Sequence, residues 1–432
     1  MQLKRKRSIG ESLATATCSL LGALPAARVQ ADESGPWQAE SALLYYAEDG
    51  DRVRDISFDG ALSYAFDEDR TLRLNLTLDS LTGASPSGAV PANTVQTFTR
   101  PSGQGSYQVP AGELPLDDTF LDTRVALAAT WSQPFGESSR LSLGVSGSTE
   151  YDYLHLGVNG RWERDFNQRN TTVFVGLAYA QDQIDPVGGV PISFAAMQEA
   201  GDSSSKDGSN ETKDVIDGLI GFTQILSRRS LLSVNYSYGR ASGYLTDPYR
   251  ILTVVDPLSG QPVADPAGSG LNLHLYESRP DSRTKQSLFA EWRYAFDRDS
   301  LALNYRLMHD DWGITSSTAE ARYRLNWSAS DYLEPHVRYY TQSAADFYRT
   351  YLVDGEPLPA NASSDSRLAD MDAVTVGLKY GRRTRHGEFS LRLEYYRQTG
   401  NPDPAPIGVL TGFDLVPPMT AVIAQVGYTF NF

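Results

Sequence analysis

The side chains able to do chemistry are few and scattered. Five histidines stand at His155, His274, His309, His336 and His386. No two have the H-x-x-H or H-E-x-x-H spacing that brings a pair of imidazoles onto one metal ion. His155 and His336 lie on polar faces of extended stretches, beside Glu and Arg. A hydrogen-bonded network is the expected use of both, with a proton or metal role as the alternative. Ser142 and His155 fall on neighbouring candidate strands, but no nucleophile motif surrounds the serine. The chain is therefore read as no enzyme. The only cysteine is Cys18, and C-x-x-C-H is absent, so neither haem attachment nor thiol chemistry is expected. Asp79, Asp117 and Asp118 bracket a polar insertion and could bind a hard cation such as calcium. They fit no twelve-residue calcium loop, so they are read as hydrogen-bonded loop anchors. No metal and no cofactor are expected.

The remaining charges form a pattern. Arg73, Arg161, Arg293, Arg306, Arg322, Arg324, Arg338, Lys379 and Arg392 alternate with apolar residues along extended stretches. So do Glu163, Glu291, Glu320, Glu334, His336 and Glu394. Because successive strand residues point to opposite faces, these charges share one face while Leu, Val, Ala, Tyr and Trp take the other. A sandwich core would not accept so charged an inner face. A hydrated lumen with a cross-wall ion-pair network would.

The elements that carry this pattern recur from residue 36 onward. About sixteen strands of 10 to 16 residues are predicted, at 36–47, 52–66, 71–80, 120–133, 139–149, 152–165, 171–181, 213–227, 230–242, 284–296, 300–309, 315–327, 331–343, 369–382, 387–399 and 416–432. The fold class is all-β, an antiparallel transmembrane barrel. Five long insertions, at 81–119, 182–212, 243–283, 344–367 and 400–415, all fall on one side if the strands run up and down. Every connection on the other side is short, the asymmetry of a barrel with short periplasmic turns and long extracellular loops. Fixed-period repeats, the mark of a propeller or solenoid, are not visible. Tyr179, Trp162, Trp131, Tyr294, Trp327 and Tyr395 are expected girdle residues. The last stretch places Val422, Ala424, Val426, Tyr428, Phe430 and Phe432 on one face, and it is expected to pair with 36–47 and close the barrel.

Composition narrows the class further. Mean hydropathy is −0.36, and no run of 18 apolar residues follows the leader, so no helical span is expected. The segment 1–31 opens Met-Gln-Leu-Lys-Arg-Lys-Arg and reaches a small-x-small site at Val29-Gln30-Ala31, as a secretory signal does. The domains are then a signal peptide, 1–31, and a barrel, 32–432. Cleavage would take away five basic residues and one acidic one, moving the net charge from −15 to −19. So acidic an exported chain is not expected to bind nucleic acid.

Several loop segments carry a resemblance. They are Leu78 to Ser87, Gln96 to Pro101, Ala111 to Phe120, Gly243 to Tyr249 and Tyr276 to Arg283. Across these the chain resembles a domain-of-unknown-function group of Gram-negative bacteria, number 3570, over essentially the mature chain. The resemblance implies an outer-membrane barrel and no settled activity. It also implies a redox or secretion-linked setting, since genes of the family often lie near flavin-transferase and thioredoxin-like genes. The signature charges are Asp79, Asp117, Asp118, Asp247, Glu277, Arg279, Asp281 and Arg283, at positions suited to a lumen plug or ligand gate. By resemblance to other outer-membrane barrels, Tyr428, Phe430 and Phe432 form the signal read by the assembly machinery.

The expected function is a porin-like conduit for small polar solutes in the outer membrane. The alternatives are a closed barrel that sheathes periplasmic redox or secretion partners, and an enzyme sited at the extracellular rim.

Overall fold

The computed structural model describes residues 36–50, 52–208 and 210–432. The side chains of 118–120, and the proposed signal peptide at 1–31, lie outside the described residues. Sixteen strands form one closed barrel. They are β1 (Trp37–Glu48), β2 (Arg54–Ala65), β3 (Thr71–Pro86), β4 (Leu116–Pro134), β5 (Ser139–Thr149), β6 (Tyr153–Phe166), β7 (Thr171–Ile184) and β8 (Glu211–Ser227). The second half is β9 (Ser230–Gly243), β10 (Ser282–Ala295), β11 (Ser300–Asp310), β12 (Thr315–Asn326), β13 (Asp331–Gln342), β14 (Met371–Thr384), β15 (Gly387–Gly400) and β16 (Met419–Asn431). Each pairs antiparallel with its chain neighbours. β16 closes on β1 from Gln38↔Asn431 to Glu48↔Ala421. Trp37 and Phe432 exchange backbone bonds of 3.0 Å at the seam, and their rings stack.

The predicted strands and the closure are all present. The largest differences lie at the strand ends that carry the long loops. β3 runs on to Pro86, β4 starts at Leu116 and β7 reaches Ile184. The ladder continues past the alternating apolar stretch because backbone pairing does not depend on side-chain polarity once a partner strand is present.

Alternation sorts the wall into two surfaces. Leu127, Leu156 and Leu177 point outward and are 61%, 59% and 64% exposed. An apolar belt this continuous is untenable in water and is satisfied by hydrocarbon. Among the described residues no helix is long and apolar enough to cross a membrane. Aromatic rings cluster at the short-turn end, where Trp37, Tyr64, Phe66 and Trp131 touch in series and Trp327 stacks on Tyr380. Toward the other end, outward tyrosines bond polar neighbours. Tyr179 donates to Asp214 at 2.6 Å and Tyr339 to Asp372 at 2.6 Å.

The long connections fold into a cap. Strand 251–255 pairs antiparallel with 274–276 and parallel with 352–353, joining the β9–β10 loop to the β13–β14 loop. The hairpin 96–99/106–109 comes from the β3–β4 loop. Further bonds tie the loops together: Val90 N to Thr253 Oγ1 at 3.1 Å, Thr99 Oγ1 to Gln198 O at 2.6 Å, and Thr350 N to Asp403 O at 2.6 Å. Gly88 has φ +96°, and a Cβ there would strike Ser364 and the Ile251 carbonyl, so three loops meet at a point only glycine fits.

The β3–β4 loop thus touches loops that rise from strands six positions away around the ring, so the cap crosses the mouth. The dry core of the protein sits here. Phe98, Leu252, Val255, Ala362, Ala369 and Leu410 are fully buried in it.

Candidate functional site

The lumen wall carries the predicted charges, with a different connectivity. Arg73 pairs with Glu40 at 2.8 Å, Arg161 with Glu163 at 3.3 Å, and Arg293 with Glu291 at 2.6 Å. Arg322 pairs with Glu320 at 2.5 Å. His336 lies between Glu320, at 3.3 Å, and Glu394, at 3.0 Å, and Arg392 adds to Glu394 at 3.8 Å. Arg324 reaches Glu388 at 3.5 Å and covers the Tyr332 ring at 3.4 Å. Glu334 and Lys379 are register partners on β13 and β14. Arg306 lies over Phe289 and Arg338 over Tyr340.

These pairs join wall positions no more than three strands apart. The expected cross-wall network is corrected to one that runs around the wall. The physical reason is reach: neighbouring inward side chains meet within a few ångströms, whereas a ring of sixteen strands is too wide for opposite side chains to touch. The inward side chain of Arg322 is 44% exposed and that of Arg293 55%. Exposure is uneven around the wall, since Arg161 and His336 are largely buried. Arg322, Glu334, His336, Lys379, Arg392 and Glu394 line one recess of this wall.

The loop signatures divide between wall and cap. Asp79 sits in β3, buried against Arg124 at 2.5 Å, so it is a wall residue and neither a loop anchor nor a free cation ligand. Asp117 is likewise in β4, opposite Ser85, and the side chain of Asp118 lies outside the described residues. Arg283 belongs to β10 and pairs with Asp310 at 2.5 Å, beneath Trp312. Asp281 offers its carbonyl to Gly243 N at 2.8 Å.

Asp247, Glu277 and Arg279 come together at the cap base, where Arg250, Asp365 and Arg367 join them. Arg279 donates to Glu277 at 2.5 Å and to Asp365 at 3.0 Å, while Glu277 accepts from Asp247 N at 2.7 Å and from Ser363 Oγ at 2.5 Å. Arg250 and Arg367 also reach Asp247, at 3.7 and 3.4 Å, and Arg367 grips Asp365 as well. Three acids meet three bases, so the cluster is neutral as a whole. Burial opposes ionisation of Asp365, but Arg367, Arg250 and Arg279 outweigh it and hold the carboxyl well below the usual range. Two loops supply these residues, so the cluster locks the β9–β10 loop to the β13–β14 loop. Arg250, Asp365 and Arg367 were not singled out in the sequence. Asp365-Ser366-Arg367 reads as an ordinary polar turn, and only the fold sets it opposite Arg279.

Above this lock, His274 is wholly buried in the cap core against the Phe98 ring. Thr253 Oγ1 accepts from Val90 N and sits 3.1 Å from His274 Nδ1, within hydrogen-bond distance. The imidazole is neutral in this apolar setting, and Thr253 is the hydrogen-bond partner of its Nδ1. Burial pushes its pKa down to about 3.

A third group lies on the wall just under the cap. Asp182 of β7 accepts from Tyr153 Oη at 2.5 Å and Lys213 Nζ at 2.9 Å, and its other oxygen is 2.7 Å from His155 Nδ1. The far nitrogen of His155 faces Ser146 Oγ at 3.3 Å. Ser142 instead bonds Ser132 at 2.8 Å. Ser146, Asp182 and Lys213 went unseen in the sequence because the pairing register that gathers them is not written in any local motif.

Solved structures resemble the barrel distantly. A monoaromatic hydrocarbon channel, CymD, aligns at 9% identity and TM-score 0.40, covering 92% of this chain and 89% of that one. The siderophore receptor PirA from Acinetobacter baumannii aligns at 10% and 0.43, covering 91% and 60%. A bacterial polysaccharide outer-membrane secretin aligns at 7% and 0.44, covering 93% and 100%. Likenesses this remote carry no function across. No curated protein matches the sequence significantly. Residues 10–430 match DUF3570, a family of proteins of unknown function, and the chain belongs to that family.

Proposed function

We propose that the protein is an outer-membrane conduit for small polar solutes whose mouth is held shut by its own loops. The observation that carries this reading is the pairing of a charge-lined sixteen-strand lumen with a folded cap. The side chains of Arg293 and Arg322 are 55% and 44% exposed, which supports solvent reaching these stretches of the lumen wall. Charges of both signs select against apolar solutes and admit small hydrated ones. The short-turn end faces the periplasm, the capped end faces outward, and lipid covers the apolar belt.

Conductance of the purified protein in a planar bilayer tests this. Wild type should give infrequent steps of constant size, and loosening the cap lock should make them frequent. Silence from both would sink the conduit. The cap itself favours a second reading, a closed barrel that sheathes periplasmic redox or secretion partners. Co-purification of such partners with a silent barrel would select it.

Tyr428, Phe430 and Phe432 form an aromatic column at the end of β16, and we assign it as the signal for assembly. Deleting Phe432 should sharply lower the yield of inserted barrel. Normal yield would remove that assignment.

A further inference from the structure

Three neighbouring strands place Ser146, His155 and Asp182 in line on the inner wall beneath the cap. Asp182 is 1% exposed and His155 5%, while Ser146 is half-buried and open toward the lumen. Nδ1–H of His155 donates to Asp182, which leaves the Nε2 lone pair facing the serine hydroxyl. Tyr153 and Lys213 hold the second oxygen of Asp182, so the carboxylate stays fixed behind the ring. Gly157 is the register partner of Ser146. A Cβ there would sit 2.7 Å from Ser146 Oγ and 3.1 Å from His155 Nε2, so glycine keeps the contact clear. Asn159, the next inward residue of β6, lays its amide over Gly144, one inward position from Ser146.

We propose that Ser146, His155 and Asp182 form a catalytic serine site for water-soluble carboxylic esters, with Asn159 as donor to the oxyanion. Ser146 Oγ bonds to the ester carbonyl carbon as His155 Nε2 takes its proton. The carbon–oxygen bond to the alcohol breaks, and His155 returns the proton to the leaving oxygen. Water then attacks the acyl-serine with His155 again as base, releasing the acid and restoring the serine. The site is on the lumen face, so its substrate comes from lumen water and not from the bilayer.

The test treats the full-length protein in detergent with a fluorophosphonate probe, followed by peptide mapping and p-nitrophenyl acetate hydrolysis. Label should map to Ser146. Labelling and hydrolysis should be lost in S146A and fall by about 10²–10⁴-fold in H155Q and D182N. S142A should behave as wild type. Heat-shifted gel migration confirms that each variant is a folded barrel. Because the cap can exclude the probe, D365A is labelled in parallel. Label elsewhere, label surviving in S146A, or no label in both wild type and folded D365A would overturn the assignment.

Discussion

The wall and the cap are stabilised by opposite means. The wall buries only a small inward apolar cluster, Phe174, Ala178 and Leu219, apart from what it packs against the cap. Most of its leucines face outward, and the closed hydrogen-bond ladder together with the surrounding lipid makes it stable. The cap is built like a small soluble domain, with Phe98, Leu252 and Tyr348 in a dry interior and ion pairs sealed at its base. One chain thus follows two solvation rules, and a residue's type means different things in each. An exposed leucine is correct on the wall, and a buried arginine is correct in the cap.

The sharpest way to break this contrast is to strand charges in the lock. Asp365→Ala leaves Arg279 and Arg250 buried without their shared partner, and should cost the cap about 3–5 kcal/mol. Protease nicking of the loops at 244–281 and 343–370 should rise while the heat-shifted barrel band persists.

A cavity comes next. Leu252→Ala should cost the cap about 2–5 kcal/mol, read as faster hydrogen exchange in the loops. The same truncation at outward Leu156 should change wall stability far less, because lipid refills the space.

Reversing the rule tests the wall. Val158→Arg, near the middle of β6, should cost about 2–4 kcal/mol of barrel stability in lipid, measured by urea unfolding in vesicles. Cap protease resistance in the surviving folded fraction should be unchanged.

Acid should loosen the cap alone. The folded pKa of His274 is depressed to about 3, so below about 6.5 the unfolded loops take a proton that the folded core refuses. Stability therefore falls as pH drops, by about 1.4 kcal/mol per unit, or roughly 2 kcal/mol by pH 5. Asp365, whose folded pKa is also depressed, adds a loss only once pH falls below the ordinary carboxylate range. His274→Phe should flatten loop exchange between pH 6.5 and 5.

The smallest effect on folding belongs to the lumen. Arg322→Gln should leave the unfolding midpoint within experimental error. In the open conduit it should shift ion selectivity toward cations, seen as a displaced reversal potential across a salt gradient.

The wall was legible in the sequence because a two-sided strand repeats every second residue, so Leu72-Arg73-Leu74 declares both faces at once. The loop asymmetry followed from counting strands. Asp247, Glu277 and Arg279 stood out by type and segment. The cap core did not, since Phe98, Leu252 and Tyr348 sit in irregular backbone with no period to betray them, inside stretches rich in Gly, Pro and Ser. The Ser146–His155–Asp182 line was hidden for another reason. It exists only once Ser148 faces His155 and His155 faces Asp182 across two ladders.

The five cap loops rise from all around the ring and meet over its centre. They cannot gather until β1 and β16 have joined, since an open sheet holds their bases too far apart. The complete cap therefore stands only over a closed ring. Once collapsed, the cap is wider than any single hairpin and bonded across the mouth, so no strand pair can slip back through the membrane. It behaves as a rivet head, and the closed seam is the shank it secures.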